Sequence, residues 1–247
     1  MKYEIVNGEL TVDGERFVID ITGGKERRRS DAAAFTLVKT QSFLNAYAQM
    51  ENQIKPRGII ELGVFQGGSF VLIDKIFKPE RMSAVEIDAE PVAPLMDYLK
   101  RTPGRNVHFG TSQGDRAALT KIVDEDLGGV LDLVIDDASH QYGLTKQSFE
   151  ILWPRLSPGG LYVIEDWAWA HGKSRQDASD PWTKHPAMTN LLIEQIMLLG
   201  SASEIAEIRV MRQMYVIKKL ASAQVGPAPQ DAVWKDLRNR GKPQPNF

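Results

Sequence analysis

The sequence contains no cysteine. Disulfides, thiolate zinc sites, iron–sulfur clusters and a cysteine nucleophile are therefore excluded, and the composition fits a cytoplasmic chain. A charge excess is also missing. The 30 Lys and Arg stand against 32 Asp and Glu, for a net charge of −2, where a nucleic-acid binder would carry a basic surplus. No apolar run exceeds strand length, which argues against a membrane span. The opening residues, Met1-Lys2-Tyr3-Glu4-Ile5, lack the apolar core of a secretory signal. What is present is ordinary globular material, with 43% hydrophobic and 25% charged residues over 247, enough for one sizeable α/β domain. The one basic cluster, Lys25-Glu26-Arg27-Arg28-Arg29, reads as a solvated loop, with an anion-contacting patch as the alternative.

Punctuation divides the chain into three stretches. Turn signals at Asn7-Gly8 and Asp13-Gly14 predict a small β-meander within an N-terminal arm, residues 1–29. Ser30-Asp31 reads as a helix start, leading into apolar residues at helical spacing from Ala32 to Ile54, with Pro56 ending it. Strand and helix patterns then alternate through the rest of a domain spanning residues 30–220. Strands are expected at 58–62, 82–87, 106–109, 131–135 and 161–164, with helices at 69–77, 92–101, 117–123 and 144–156 between them. A helix at 190–199 and a tight antiparallel pair, 208–212 with 214–218, complete the pattern. The implied fold is a Rossmann-like α/β domain of class I methyltransferase layout. It has a seven-stranded, mostly parallel sheet, a terminal antiparallel strand pair and helices on both faces. The tail, 221–247, is rich in Pro, Gln, Ala and Gly, with Trp234 as its expected anchor.

The first strand of the alternating series runs into Glu61-Leu62-Gly63-Val64-Phe65-Gln66-Gly67-Gly68-Ser69. Open α/β sheets bind ligands at the carboxyl ends of their strands. Gly63 permits a tight turn, Gly67 and Gly68 allow close backbone approach, and Ser69 begins a helix whose free N–H groups point into the site. Phe65 stands where a dinucleotide fingerprint needs its second glycine, and no Gly-Lys-Ser/Thr follows for a phosphate. A carboxylate here suits the ammonium of a methionine moiety, so S-adenosylmethionine is the expected cofactor, with Glu61 near its amino end. At the end of the next strand an acid can accept both ribose hydroxyls, Glu86 first and Asp88 in reserve. Thr111 and Ser112 stand where an adenine edge is read, and Asp136 completes the expected cofactor set.

Two neighbouring strands end in acids: Asp136-Asp137-Ala138-Ser139-His140 and Glu165-Asp166-Trp167. At strand spacing of about 4.8 Å these carboxylates converge and repel unless a cation neutralises them. A sulfur-free, oxygen-rich site suits Mg²⁺, with Mn²⁺ as a substitute, and Asp137, Glu165 and Asp166 are the expected ligands. His140 is the expected base, histidine being the side chain whose ordinary pKa of about 6.5 permits proton uptake near neutrality. Trp167, Trp169 and Trp182 bracket an aperiodic stretch that reads as a lid. Their rings either stack on an acceptor or pin the lid to the core.

Taken together, Glu61-Leu62-Gly63-Val64 with Gly67-Gly68-Ser69, Ile135-Asp136-Asp137-Ala138-Ser139-His140 and Pro158-Gly159-Gly160-Leu161-Tyr162-Val163-Ile164-Glu165-Asp166 resemble the metal-dependent sugar O-methyltransferases of macrolide pathways. The same segments are similar to aminocoumarin O-methyltransferases and cephalosporin-hydroxylase-like proteins. The loop Gly110-Thr111-Ser112-Gln113 departs from the Gly-Asp-Gln-Ser usual there. The resemblance covers about residues 57–167. It implies S-adenosylmethionine, Mg²⁺ at Asp137, Glu165 and Asp166, catalysis by His140 with Asp137, and a homo-oligomer. The acceptor is then a hydroxyl of a sugar or other small natural product, possibly glycosylated, with no nucleic acid or membrane partner. The alternative is a module or partner subunit that holds S-adenosylmethionine or S-adenosylhomocysteine without turnover.

Overall fold

Runs such as Gly58-Ile59-Ile60-Glu61-Leu62, buried at every position, cannot be surface strands and must be covered on both faces. In the computed structural model they are. The structure describes residues 2–23, 26–201, 204–226, 228, 232–235, 237 and 240. Within the basic cluster, Lys25 lies outside the described residues, as does much of the tail.

The chain opens with β1 (Glu9–Val12) and β2 (Glu15–Ile19), an antiparallel hairpin turned at Asp13-Gly14, and β3 (Phe35–Leu37) joins β2 in parallel. Helix α1 (Gln41–Glu51) follows. The main series is β4 (Gly58–Leu62), α2 (Gly68–Phe77), β5 (Arg81–Glu86), α3 (Ala93–Arg101), β6 (Arg105–Phe109), α4 (Arg116–Lys121), β7 (Leu133–Asp136), α5 (Tyr142–Leu152) and β8 (Leu161–Glu165). Helix α6 (Met188–Gly200) and strands β9 (Ile205–Val210) and β10 (Met214–Lys219) come last. The second sheet has seven strands in the order β6-β5-β4-β7-β8-β10-β9. Strand β10 runs antiparallel to both β8 and β9, and the other pairings are parallel. This is the class I methyltransferase sheet that the sequence pattern predicts.

Alternate strand residues feed two cores. Ile59, Leu133, Ile135, Leu161 and Val163 pack with α1, α2, α3 and the N-terminal sheet on one face. Ile60, Leu62, Val134, Tyr162 and Ile164 pack with α4, α5 and α6 on the other. Trp234 anchors the tail as expected, 5.7 Å from the Phe149 ring and hydrogen-bonded to Glu150. Among the described residues no helix is long and apolar enough to cross a membrane.

The expected helix from Ala32 to Ile54 is corrected. Asp31 does act as a cap-like acceptor, taking N–H bonds from Ala33 and Ala34 at 2.8 and 3.0 Å. It closes a local turn instead of starting a helix. Phe35, Thr36 and Leu37 are buried in a strand beside β2, and the helix begins only at Gln41 and ends at Glu51. The N-terminal sheet thus draws on residues beyond 29, and it packs on α2.

Candidate active site

Strand order reverses at β4, with β5 and β6 to one side and β7 and β8 to the other. A crevice opens at the carboxyl ends of strands at such a point. Gly63 follows β4 with φ +83°, and a Cβ there would lie 2.6 Å from the Asp137 carbonyl oxygen. The loops after β4 and β7 touch only because this residue is glycine. Gly68, opening α2, would place a Cβ 2.1 Å from the Thr36 carbonyl oxygen, so β3 is pressed against the start of that helix. Ser30 reinforces the contact. Its hydroxyl donates to the Gln66 carbonyl at 2.7 Å and accepts from the Thr36 N–H at 2.8 Å.

Three cavities adjoin one another here. The first, about 420 Å³, is lined by Gly63, Phe65, Glu86, Thr111 and Ser112 from the sequence-derived cofactor set, and also by Ile87 and Gln113. Glu86 faces it with both oxygens engaged: one accepts from the N–H groups of Val64 and Phe65 at 3.0 and 2.8 Å, the other from Asp88 at 3.0 Å. Asp88 is exposed and bonds the Glu90 N–H instead. The second cavity, about 260 Å³, brings together Gly68, Ser69, Lys39, Asp137, His140 and Asp166. Arg27 from the basic cluster lines it too. The third, about 660 Å³, is walled by Trp167, Trp169 and Trp182 with His140, His171 and His185. Asp137 lines the first two cavities, and His140 with Trp169 lines the last two. The three spaces therefore share wall residues at the centre of the site.

At its centre Asp137, His140 and Asp166 each offer an atom within 4.8 Å of the others, geometry that fits a divalent cation. His140 Nε2 is 3.9 Å from Asp137 Oδ1, and the His140 ring packs on Trp169 with centroids 4.2 Å apart. His140 and Asp166 both adopt left-handed backbone, with φ 52° and 54°, and so does Phe65 at 48°. Such conformations are costly for residues with side chains and concentrate at functional loops. Burial, with Asp137's like charge behind it, raises the Asp166 carboxyl above its ordinary range.

Glu165 is placed differently. It is 1% exposed and turned inward, where one oxygen accepts from the Tyr47 hydroxyl and the other from Lys39. Lys39 also donates to Asp137 Oδ2 at 2.6 Å. Burial alone would pull the lysine's pKa down, but the Asp137 and Glu165 charges more than reverse this and leave it raised. Glu61 is fully buried beneath the glycine loop, beside Ser69, and burial pushes its carboxyl up to about 8. Asp136 is buried as well, accepting from Gln113, Ser148 and Tyr162, and burial raises it to about 7. Gln113 also accepts the Ser139 N–H at 2.9 Å, tying the loop after β6 to the loop that carries His140.

Sequence reasoning did not single out Lys39, Tyr47, Ile87 or Gln113. Ile87, 71% exposed at the cofactor-sized cavity, had a usable signal, an apolar residue directly after the acid that ends β5.

Residues 60–167 match the family model of a methyltransferase domain. Over 72 residues the chain is 42% identical to the 8-demethyl-8-alpha-L-rhamnosyl tetracenomycin-C 2'-O-methyltransferase of Streptomyces olivaceus, covering 29% of this chain and 18% of that one. It is 45% identical over 53 residues to the mycinamicin VI 2''-O-methyltransferase of Micromonospora griseorubida, covering 22% and 13%. The MycE methyltransferase of the mycinamycin pathway, solved in complex with Mg, S-adenosylhomocysteine and mycinamycin VI, superposes with a TM-score of 0.56 at 23% identity, over 77% of this chain and 51% of that one. These matches thus cover under a fifth of the two curated relatives and about half of MycE. Residues 60–167 thus match a methyltransferase domain model, and the strand order is that of the class I methyltransferase fold.

Proposed function

We propose that this chain is an S-adenosylmethionine-dependent O-methyltransferase, assisted by Mg²⁺ or Mn²⁺, acting on a hydroxyl of a sugar or other small natural product. The observation that carries the reading is three neighbouring cavities that have Asp137 and His140 on their shared walls. The relatives named above, O-methyltransferases of glycosylated natural products, support it.

In this reading the adenosyl end occupies the cavity of about 420 Å³, with Ile87 against the base and Glu86 at the ribose. The methionine end reaches the start of α2, where free N–H groups and Ser69 suit its carboxylate. Glu61, buried beneath the glycine loop, is assigned to its ammonium, directly or through water. The acceptor occupies the aromatic cavity. Trp169 and Trp182, edge to face at 6.1 Å, offer ring surface to a sugar or an aromatic system. In the transfer, the acceptor oxygen bonds to the methyl carbon as the carbon–sulfur bond breaks and S-adenosylhomocysteine departs. The acceptor's proton passes to His140. Asp137 and Asp166 would hold a divalent cation, which would supply a lowered pKa at the acceptor hydroxyl. The protein's own task is alignment of oxygen, carbon and sulfur.

A homo-oligomer belongs to the same proposal. Ile196 and Leu199 on α6 and Val210 on β9 leave apolar side chains exposed near one sheet edge, and light scattering checks it.

Calorimetric titration of S-adenosylhomocysteine into metal-stripped protein, repeated with Mg²⁺, tests the central claim. Saturable binding is expected, followed by transfer of labelled methyl to glycosylated acceptors. Absence of binding under both conditions overturns the reading. Binding with no transfer to any acceptor favours a non-catalytic cofactor-holding module.

A further inference from the structure

Lys39 stands outside residues 60–167, just before α1, yet its ammonium sits within the acidic centre of the site. Its side chain is 3% exposed, and lysine is almost never buried to that extent unless paired. Here the nitrogen has two carboxylate partners, Asp137 at 2.6 Å and Glu165, and the Phe43 ring centroid lies 5.0 Å away. Glu165 Oε2 takes the lysine and Oε1 takes Tyr47, so each of its oxygens already faces a protein donor. Asp137 is divided. Oδ2 faces Lys39, while Oδ1 is turned toward His140 Nε2 at 3.9 Å. The three groups whose atoms converge within 4.8 Å are Asp137, His140 and Asp166, without Glu165.

We infer that Lys39 is a resident cation that splits the acidic cluster into an inner ion pair, made by Glu165 and one oxygen of Asp137, and an outer pair of carboxylates, Asp137 and Asp166, left for a divalent metal. Lys39 is then a positioning residue, and Glu165 belongs to its ion pair instead of the metal's shell. The physical case rests on charge. A buried carboxylate, Glu165, and a half-buried one, Asp137, facing each other repel, and removing the cation between them leaves uncompensated charge. An ammonium held by the fold supplies that cation before any metal arrives. A magnesium ion needs no more, since it commonly binds through one or two carboxylates and keeps several waters. The inference rests on the metal-assisted reading above, but metal binding tests it without turnover.

The experiment is Mn²⁺ titration of the full chain, followed by the paramagnetic resonance of free Mn²⁺, for wild type, E165Q, D166N and K39M. D166N is expected to weaken binding at least roughly tenfold, and E165Q to stay within about threefold of wild type. K39M is expected to bind roughly tenfold more tightly, because a fixed positive charge has gone and two carboxylates have been released. Its thermal midpoint should also become dependent on Mn²⁺, where that of wild type changes little. The inference is overturned if E165Q loses as much affinity as D166N, since the ammonium then yields to the metal. It is equally overturned if K39M binds no more tightly, or if wild type and K39M both fail to bind. Should K39M not fold, the comparison of E165Q with D166N decides alone. Calorimetry with S-adenosylhomocysteine on the same samples separates the two levels. Retained cofactor binding with a failed Mn²⁺ pattern removes only the role of Lys39, whereas no cofactor binding by wild type removes the reading of the site.

Discussion

His140 and Asp166 reach the centre of the site by turning their backbones into the left-handed region directly after β7 and β8. The imidazole is held there by Trp169 on one side and Asp137 on the other, which suits a base that must meet an acceptor proton. Replacing His140 with alanine should lower kcat by roughly 10²- to 10⁴-fold, the usual contribution of general base catalysis, and leave S-adenosylhomocysteine affinity unchanged. Full transfer by H140A in a methyl-transfer assay would remove the base from this residue. Glu61 gives a second test. Its carboxyl, ordinarily near 4.5, is pushed to about 8 by burial, so between these values the folded chain keeps a proton that the unfolded chain has released. The folded state then binds more protons, and stability must fall as pH rises through that window. E61Q should flatten the decline between pH 5 and pH 8 by about 1–3 kcal/mol, read from urea midpoints in metal-free buffer. An unchanged slope would mean that Glu61 is ionised in the folded chain.

These residues were not equally legible in the sequence. Glu61, Asp137, His140 and Asp166 announce themselves because they stand directly at strand ends, beside glycines or in a run of acids. Lys39 does not. Its partners are 98 and 126 residues away, and one lysine among 30 cations carries no local pattern. Asp136 shows the opposite problem. It shares the strand end with Asp137, but strand alternation sends it to the other face, where Ser148 and Tyr162 hold it under the floor.

At the scale of elements, the glycine loop depends on contacts that no larger residue permits. Gly63→Ala places a methyl group 2.6 Å from the Asp137 carbonyl oxygen at φ +83°, so both sterics and backbone strain oppose it. A loss of about 1–3 kcal/mol is expected by urea denaturation, together with weakened cofactor binding. Unchanged stability would show that the two loops are less tightly apposed. Phe149 on α5 is the matching test on the opposite face. Its ring stacks on Trp153 at 5.0 Å and lies 5.7 Å from Trp234, so Phe149→Ala should cost about 3–5 kcal/mol and free the tail to limited proteolysis. The main sheet was readable because long apolar strands punctuated by glycine have few other solutions. The segment from Ala32 to Leu37 was not. A strand of 3 residues carries no periodicity, and its partner β2 lies upstream across a turn-rich segment. Hence its apolar residues were absorbed into the helical pattern that begins at Gln41.

Across the whole molecule, the site is assembled from regions on both sides of the matched domain. The N-terminal segment contributes Arg27, Thr36 and Lys39 to the central cavity, and the segment after β8 supplies the aromatic walls of the outer one. In the proposed reading, cofactor and acceptor occupy different cavities, so changes in one should spare the other. Trp182→Ala should raise the acceptor KM about tenfold, an effect near 1.4 kcal/mol and typical of one lost aromatic contact, with S-adenosylhomocysteine affinity unchanged. Steady-state kinetics and calorimetry together check this, and a variant that loses cofactor binding would contradict the division.

Strand β10 lies between β8 and β9, although it is the last of the three in sequence. During synthesis, β8 therefore leaves the ribosome with one edge unpaired, and the Asp166 N–H must wait for the carbonyl of Gln213. That delay is about 50 residues, a few seconds at roughly 5–20 residues per second. For that interval the nascent chain presents a bare, strongly apolar strand to whatever is nearby, and Glu165 and Asp166 at its tip have no fixed aim. The acidic centre of the site can thus be completed only after β10 has been synthesised.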